Sequence, residues 1–295
     1  MPSGQADPQV PPDPAAAPLG VRLRPLAALD AAQIRDIRYV LLDIDDTLTT
    51  GGRLEAAAYG ALERLQRAGF YVIPVTGRPA GWCDMIARLW PVAAVVGENG
   101  AFWFRYDRAR RRLRRCFWDS EDARHAARAR LDVLARAILA AVPGSAVASD
   151  QPYRVADLAI DVCEDVPALS DSAVDRIVAL FEAAGAQAKV SSIHVNGWFG
   201  SHDKLAMARR LLEREFGCAP AAQSSQVAFI GDSPNDAPMF AALPLSVGVA
   251  NVRDSLARLT TPPTFVTTRP AGAGFVEFAE HLLQADRRAD STPGE

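Results

Sequence analysis

The sequence predicts an α/β protein, a Rossmann-like core with a parallel sheet interrupted by an inserted α+β module. Three observations carry this. Short apolar runs near residues 37–42, 70–75 and 227–230 each end abruptly in a polar cluster. Segments with helical apolar spacing separate them, which gives the β-α-β rhythm of a parallel sheet with right-handed crossovers. That rhythm stops after Gly100 and resumes at Lys204.

Residues 1–25 are rich in Pro and Ala, with Pro8, Pro11, Pro12 and Pro14 close together, and a disordered lead is expected there. Asp30-Ala31-Ala32-Gln33 has the spacing of a capping box, so a short helix should precede the first core strand. Ile37 to Leu42 reads as a buried strand. Leu54 to Ala68 has helical spacing and Gly69 is a stop signal. Phe70 to Val75 then reads as a strand ending at Thr76-Gly77-Arg78. Ala80 to Leu89 should be helical and Val92 to Val96 extended.

Within the inserted module, Ala101 to Tyr106 and Leu113 to Trp118 flank an Arg-rich turn and predict an antiparallel hairpin. A helix over Ser120 to Ala141, strands at Ala146 to Ser149 and Val155 to Val162, and a helix over Ser170 to Ala184 follow. Lys189 to Trp198 is a further strand. The alternation in Leu158 to Val162 is the half-buried kind expected of an antiparallel sheet with one open face. The α/β rhythm then resumes with a helix at Lys204 to Phe216, a strand at Val227 to Ile230 and a helix near Asp236 to Ala242. Strands at Ser246 to Val249 and Phe265 to Thr267 and a helix from Gly274 to Gln284 complete it. The expected organisation is therefore a core of 26–101 and 199–285, a module of 102–198, and a disordered tail at 286–295.

Composition narrows the class of function. A chain of 295 residues can bury a substantial core, and a net charge of −3 gives no overall drive toward nucleic acid or anionic membrane. The four cysteines, Cys83, Cys116, Cys163 and Cys218, are far apart with no CxxC pair, which favours reduced thiols over disulfides or zinc. No apolar run approaches the roughly 20 residues of a membrane span. The N-terminus lacks the pattern of a secretory signal, so a cytoplasmic location is expected.

The chemistry concentrates where strands end. Asp43-Ile44-Asp45-Asp46-Thr47, Thr76-Gly77-Arg78 and Gly231-Asp232-Ser233-Pro234-Asn235-Asp236 each follow a core strand. In an open α/β sheet the carboxyl ends of the strands form the ligand crevice, so these clusters converge. Asp43 and Asp45 point to one side of an extended chain, and their repulsion calls for a cation or a shared proton. Asp43 and Asp232 can share a hard divalent ion with oxygen ligands, magnesium being the natural candidate. Lys204 can reach the same crevice, and Thr76 adds a hydroxyl beside turn amides. Such a site suits a phosphoryl group, whose charge spreads over three oxygens as it transfers.

In these motifs the sequence resembles the haloacid dehalogenase superfamily of phosphohydrolases: Asp43-x-Asp45-x-Thr47, Thr76, Lys204 and the Gly231 to Asp236 run stand in that family's order. The resemblance implies that Asp43 is a nucleophile forming an aspartyl-phosphate and Asp45 a general acid/base. It also implies that Thr76, Gly77 and Lys204 hold the phosphoryl oxygens. Mg²⁺ would be bound by Asp43, the main-chain carbonyl of Asp45 and Asp232, with Asp236 helping to place it. A cap inserted between Gly77 and Lys204, with Glu98-Asn99-Gly100-Ala101 ahead of the hairpin, is similar to the C2-type cap of subfamily IIB, which includes Cof-type sugar phosphatases and sucrose-phosphate phosphatase.

The implied activity is hydrolysis of a small phosphorylated metabolite, with a sugar phosphate expected. Transfer by a phosphosugar mutase and a catalytically idle binding protein stand as alternatives. His194, Asn196 and Trp198 share one face of the last cap strand and are candidate substrate contacts, as is Arg78. Asp46 stands where many members of the family carry Gly. The Arg108 to Arg115 cluster, flanked by Asp107 and Asp119, reads as a solvated hairpin tip.

Overall fold

The computed structural model describes residues 23–290. Strands β1 (Arg24–Pro25), β2 (Tyr39–Leu42) and β3 (Tyr71–Pro74) belong to one sheet. Around them run helices α1 (Ala31–Ile34), α2 (Ala56–Arg67) and α3 (Ala80–Leu89). Next come β4 (Val95–Gly97), β5 (Phe102–Asp107) and β6 (Arg112–Phe117). The cap contains α4 (Glu121–Ala141), β7 (Ala146–Val147), β8 (Leu158–Asp161), α5 (Asp171–Ala183), β9 (Gln187–Val190) and β10 (His194–Trp198). The chain returns to the core through α6 (Lys204–Phe216), α7 (Pro220–Gln226), β11 (Val227–Gly231), α8 (Ala237–Ala242), β12 (Leu245–Gly248), β13 (Phe265–Val266) and α9 (Ala271–Asp290).

The core sheet is parallel, in the order β1-β13-β12-β11-β2-β3. Tyr39–Leu42 lie buried between Val227–Ile230 and Tyr71–Pro74, so both faces must be covered. The strand period of two divides the covering. Val40, Leu42 and Ile230 face a cluster with Leu62, Leu65, Phe275 and Phe278 of α2 and α9. Leu41, Ile73 and Phe229 face one with Met207, Leu211, Met239 and Phe240 of α6 and α8. Helices on both faces leave the strand ends as the place where polar groups can gather. The capping box at Asp30 forms, with its carboxylate accepting from Gln33 N at 2.9 Å. Among the described residues, no helix is long and apolar enough to cross a membrane.

The cap sheet is antiparallel, in the order β7-β8-β10-β9. One face packs Leu158, Ile160 and Val195 against Leu131, Leu134, Ile138, Ile177 and Phe181 of α4 and α5. The other face is not open: all of Leu158–Asp161 and His194–Trp198 is buried, because the polar face of this sheet lies over the core crevice.

Several expectations change. The hairpin assigned to the inserted module stays with the core: β5 pairs with β4, and Phe102 and Phe104 join the core cluster. Its aromatic residues find their burial against α3 and α6, not against the cap. The expected strand over Lys189 to Trp198 is two strands, because Ser191-Ser192-Ile193 forms a turn closed by Ser191 N to His194 O at 2.8 Å. Arg24 and Pro25, placed in the disordered lead, pair with β13; residues 1–22 of that lead lie outside the described residues. The expected tail at 286–295 is helical as far as Asp290, and 291–295 lie outside the described residues.

Candidate active site

Strands β2 and β11 are hydrogen-bonded neighbours, so the residues after each lie side by side. Asp43 follows β2, its N–H donating to Ile230 O at 2.9 Å, and Asp232 follows β11. Carboxylate oxygens of Asp43, Asp232 and Asp236 lie within 4.8 Å of one another, and all three residues are buried. Lys204, the first residue of α6, enters the same cluster. Its Nζ donates to Asp43 Oδ1 at 2.8 Å, Asp236 Oδ1 at 2.8 Å and Asn235 Oδ1 at 3.1 Å.

The charges do not balance. One ammonium faces three buried carboxylates. Burial pushes the Asp43 carboxyl up to about 7; Lys204 pulls against it and Asp236 adds to the rise. Burial, then Asp43 and Asp236, raises Asp232 well above the carboxylate range. Burial lowers Lys204, but Asp236 and Asp43 outweigh it and hold the ammonium above its ordinary value. An all-oxygen donor set with surplus negative charge fits a hard divalent cation.

The loops that carry these groups are fixed locally. Thr47 Oγ1 donates to Asp232 Oδ1 at 3.0 Å, and Asn251 Nδ2 reaches Asp46 O at 3.0 Å. Asp236 Oδ2 accepts the N–H groups of Asp232 at 3.1 Å and Ser233 at 3.3 Å. Asp46 adopts φ +52°, a left-handed conformation that Gly takes freely and Asp tolerates. The turn, not the chemistry, accounts for that position. Buried Thr76 accepts Arg78 N on its hydroxyl at 3.0 Å.

Asp45 is not part of that carboxylate group, though it lines the same crevice as Asp43. Arg78 grips it, with Nε 3.0 Å from both carboxylate oxygens and Nη2 2.7 Å from Oδ1. The same Nη2 donates to Glu164 of the cap at 3.1 Å, and the guanidinium lies over the Trp82 ring. His194 Nε2 stands 2.9 Å from Glu164 Oε2, and this imidazole, followed by Arg78, holds the Glu164 carboxyl down to about 2.

A crevice between core and cap is lined by Asp43, Asp45, Gly77, Arg154, His194 and Asn196, among others. It has about 10 Å³ of free space, room for about one water. A second hollow of about 250 Å³ lies beyond Arg78, between Asp46, Thr49, Cys163 and Glu164. Arg78 borders both. Of the candidate substrate contacts, Arg78, His194 and Asn196 reach the crevice. Trp198 does not: its indole stacks on His202 and donates to His202 O at 3.2 Å, which anchors the return linker. The hairpin arginines are also elsewhere, pairing with Glu215, Asp107 and Asp84.

Sequence reasoning passed over the polar seam that joins cap to core. Glu98 is fully buried and accepts Ala80 N from α3 and the N–H groups of Val155, Ala156 and Asp157 from the cap, at 2.6 to 3.2 Å. Burial and Asp157 push its carboxyl above the usual range, against Arg154 and the amide donors. Arg154 donates to Asp150, Asp157 and Gly77 O. In the sequence Glu98 figures only in the Glu98-Asn99-Gly100-Ala101 run, and residues 150–157 carry no periodic pattern that marks its partners.

The fold has counterparts among solved structures. A protein of Thermoplasma acidophilum is 20% identical, with 84% of this chain and 98% of that one covered and a TM-score of 0.63. The sucrose-phosphatase of Synechocystis, solved with sucrose and phosphate, is 16% identical, with 84% and 98% covered and a TM-score of 0.58. A sugar phosphatase of HAD subclass IIB is 13% identical, with 83% and 98% covered and a TM-score of 0.57. The chain has the haloacid dehalogenase fold. No family model matches the sequence. At these identities the haloacid dehalogenase likeness is one of architecture, core and cap together. It does not by itself assign a reaction to Asp43 or a substrate to the crevice.

Proposed function

We propose that the protein is a magnesium-dependent phosphatase of the haloacid dehalogenase type, hydrolysing a small phosphorylated metabolite, with a sugar phosphate as the expected substrate. The observation that carries this is the buried group of Asp43, Asp232 and Asp236 around Lys204 at the carboxyl ends of adjacent parallel strands. Asp43, Asp232 and the Asp45 main-chain carbonyl would hold the ion. Asp236, whose two oxygens already serve Lys204 and the turn amides, would position it. When bound, the ion supplies charge compensation for the phosphoryl oxygens and the surplus carboxylates.

Asp43 is the nucleophile in this reading. It attacks phosphorus, forming an aspartyl-phosphate, while Asp45 gives a proton to the departing alkoxide oxygen. Asp45 then takes a proton from water, which attacks the aspartyl-phosphate and releases phosphate and free Asp43. Lys204 and the Thr76-Gly77 turn hold the phosphoryl oxygens through both steps. In the arrangement described, Arg78 occupies both carboxylate oxygens of Asp45, so substrate entry has to draw the guanidinium aside before Asp45 can reach the leaving oxygen. The same movement joins the two hollows into space for a metabolite.

Phosphate release from a panel of phosphorylated metabolites, with Mg²⁺ and with EDTA, tests this. Turnover that needs Mg²⁺ and falls about 10³-fold or more in Asp43→Asn is expected. An Asp43→Asn variant that keeps its activity would remove the nucleophile from the mechanism.

A further inference from the structure

The hairpin arginines, which the catalytic crevice does not use, surround a hollow of their own. It measures about 680 Å³, within the range that holds a small molecule, and it shares no lining residue with either hollow beside Asp45. The strand period of two puts Trp103, Arg105 and Asp107 of β5 on one face of the hairpin, in register with Cys116, Arg114 and Arg112 of β6. Arg214 and Glu215, from the last turn of α6, complete the lining.

The charges here leave a surplus of the opposite sign to that of the catalytic cluster. Arg110, Arg112, Arg114, Arg115 and Arg214 line the hollow against two carboxylates, Asp107 and Glu215. Asp107 is taken by Arg110 at 3.0 Å, and Glu215 is shared by Arg105 at 3.3 Å and Arg114 at 2.6 Å. Arg115 reaches out to Asp84. Arg112 and Arg214 are exposed, and among the described residues neither pairs with a carboxylate.

Trp103 adds a second, independent sign. It lines the same hollow and is 3% exposed, yet its indole N–H, a group that can only donate, has no acceptor among the described residues. A buried donor left in that state costs about 1–3 kcal/mol. Arginines on an edge strand such as β6 discourage pairing with another sheet, but that purpose requires neither Arg214 nor an unpaired indole N–H. Every group left over in this hollow is a donor.

We propose that the hollow is a second anion site, separate from the catalytic crevice, and that it takes a small soluble molecule carrying several phosphate or carboxylate groups. Guanidinium forks match the oxygens of both groups, so that shared chemistry defines the ligand. Arg112 and Arg214 bind its anionic groups, and Trp103 donates to an oxygen at the buried end. From Arg112 to Cys116 the strand advances about 13 Å at about 3.3 Å per residue, more than a single oxyanion covers, which calls for several groups on one molecule.

Isothermal titration calorimetry of the full chain in metal-free buffer, with tripolyphosphate and with citrate, tests this. At least one of them should bind saturably, and the tighter of the two tells phosphate from carboxylate. The double variant Arg112→Gln and Arg214→Gln should weaken that binding about tenfold or more. A control variant, Arg136→Gln with Arg176→Gln, removes the same charge from exposed positions on α4 and α5 and should leave it unchanged. In heteronuclear NMR spectra the Trp103 indole N–H, identified by its loss in Trp103→Phe, should shift as the anion is added. Binding of neither anion overturns the proposal, as do affinity retained without Arg112 and Arg214, equal weakening in the control variant, or an indole resonance that does not move.

Discussion

Replacing Lys204 with methionine keeps most of the side-chain volume and deletes the one ammonium that touches Asp43 and Asp236. Removing one partner of a buried ion pair costs about 3–5 kcal/mol. At about 2–4 °C per kcal/mol for a chain of this size class, the melting temperature in EDTA should fall by roughly 6–20 °C.

Its pH dependence has a definite sign. A carboxylate whose pKa is higher folded than unfolded binds more protons when folded, so stability drops as pH rises between the two values. For the parent that window runs from the unfolded aspartate value up to about 7, set by Asp43. In Lys204→Met it extends higher, so the deficit should shrink as the pH is lowered and nearly close around pH 4. Mg²⁺ at a hundredfold excess over its dissociation constant should return about 2.7 kcal/mol. Thermal unfolding followed by circular dichroism, with EDTA and with Mg²⁺, reads all three effects. A variant that melts within a degree or two of the parent in EDTA at pH 7 refutes the view that Lys204 is the counter-charge of this cluster.

Glu98→Gln puts an NH₂ group against backbone N–H donors that now share two carboxylate oxygens, so a loss of about 2–4 kcal/mol is expected; an unchanged melting temperature would count against the seam. Arg78→Ala frees Asp45 and unties Glu164, and amide hydrogen exchange in 161–165 and 191–194 should quicken, with exchange equal to the parent's contradicting the tie.

Much of this was legible in the sequence because it was local. The runs into Asp43, Thr76 and Asp232 carried their own strand signal, and the rule for strand ends placed them together before any coordinates. Lys204 needed only its position at the start of α6. What escaped notice depended on distant partners. The β5–β6 hairpin looked the same from sequence whether it packed on cap or core, since alternation says that a face is buried but not by what. The Ser191-Ser192 turn was hidden inside a run that alternated on both sides of it. Pro220 opens α7 at a favourable position, but Ala221 to Gln226 has too little apolar periodicity to announce a helix. Glu98 and its cap amides lie more than fifty residues apart in sequence, and nothing in either segment names the other.

The grip of Glu98 on Val155, Ala156 and Asp157 also limits what can be exchanged between relatives of this fold. Caps look like portable units, joined to the core by two linkers. Here a third attachment runs through a buried carboxylate whose donors belong to the cap. A chimera that took a foreign cap while keeping this core would strand Glu98 without donors and Gly77 O without Arg154. Grafting would succeed only if residues 150–157 travelled with the core, or if Glu98 were redesigned along with the cap, so the true modular boundary is the seam and not the linkers.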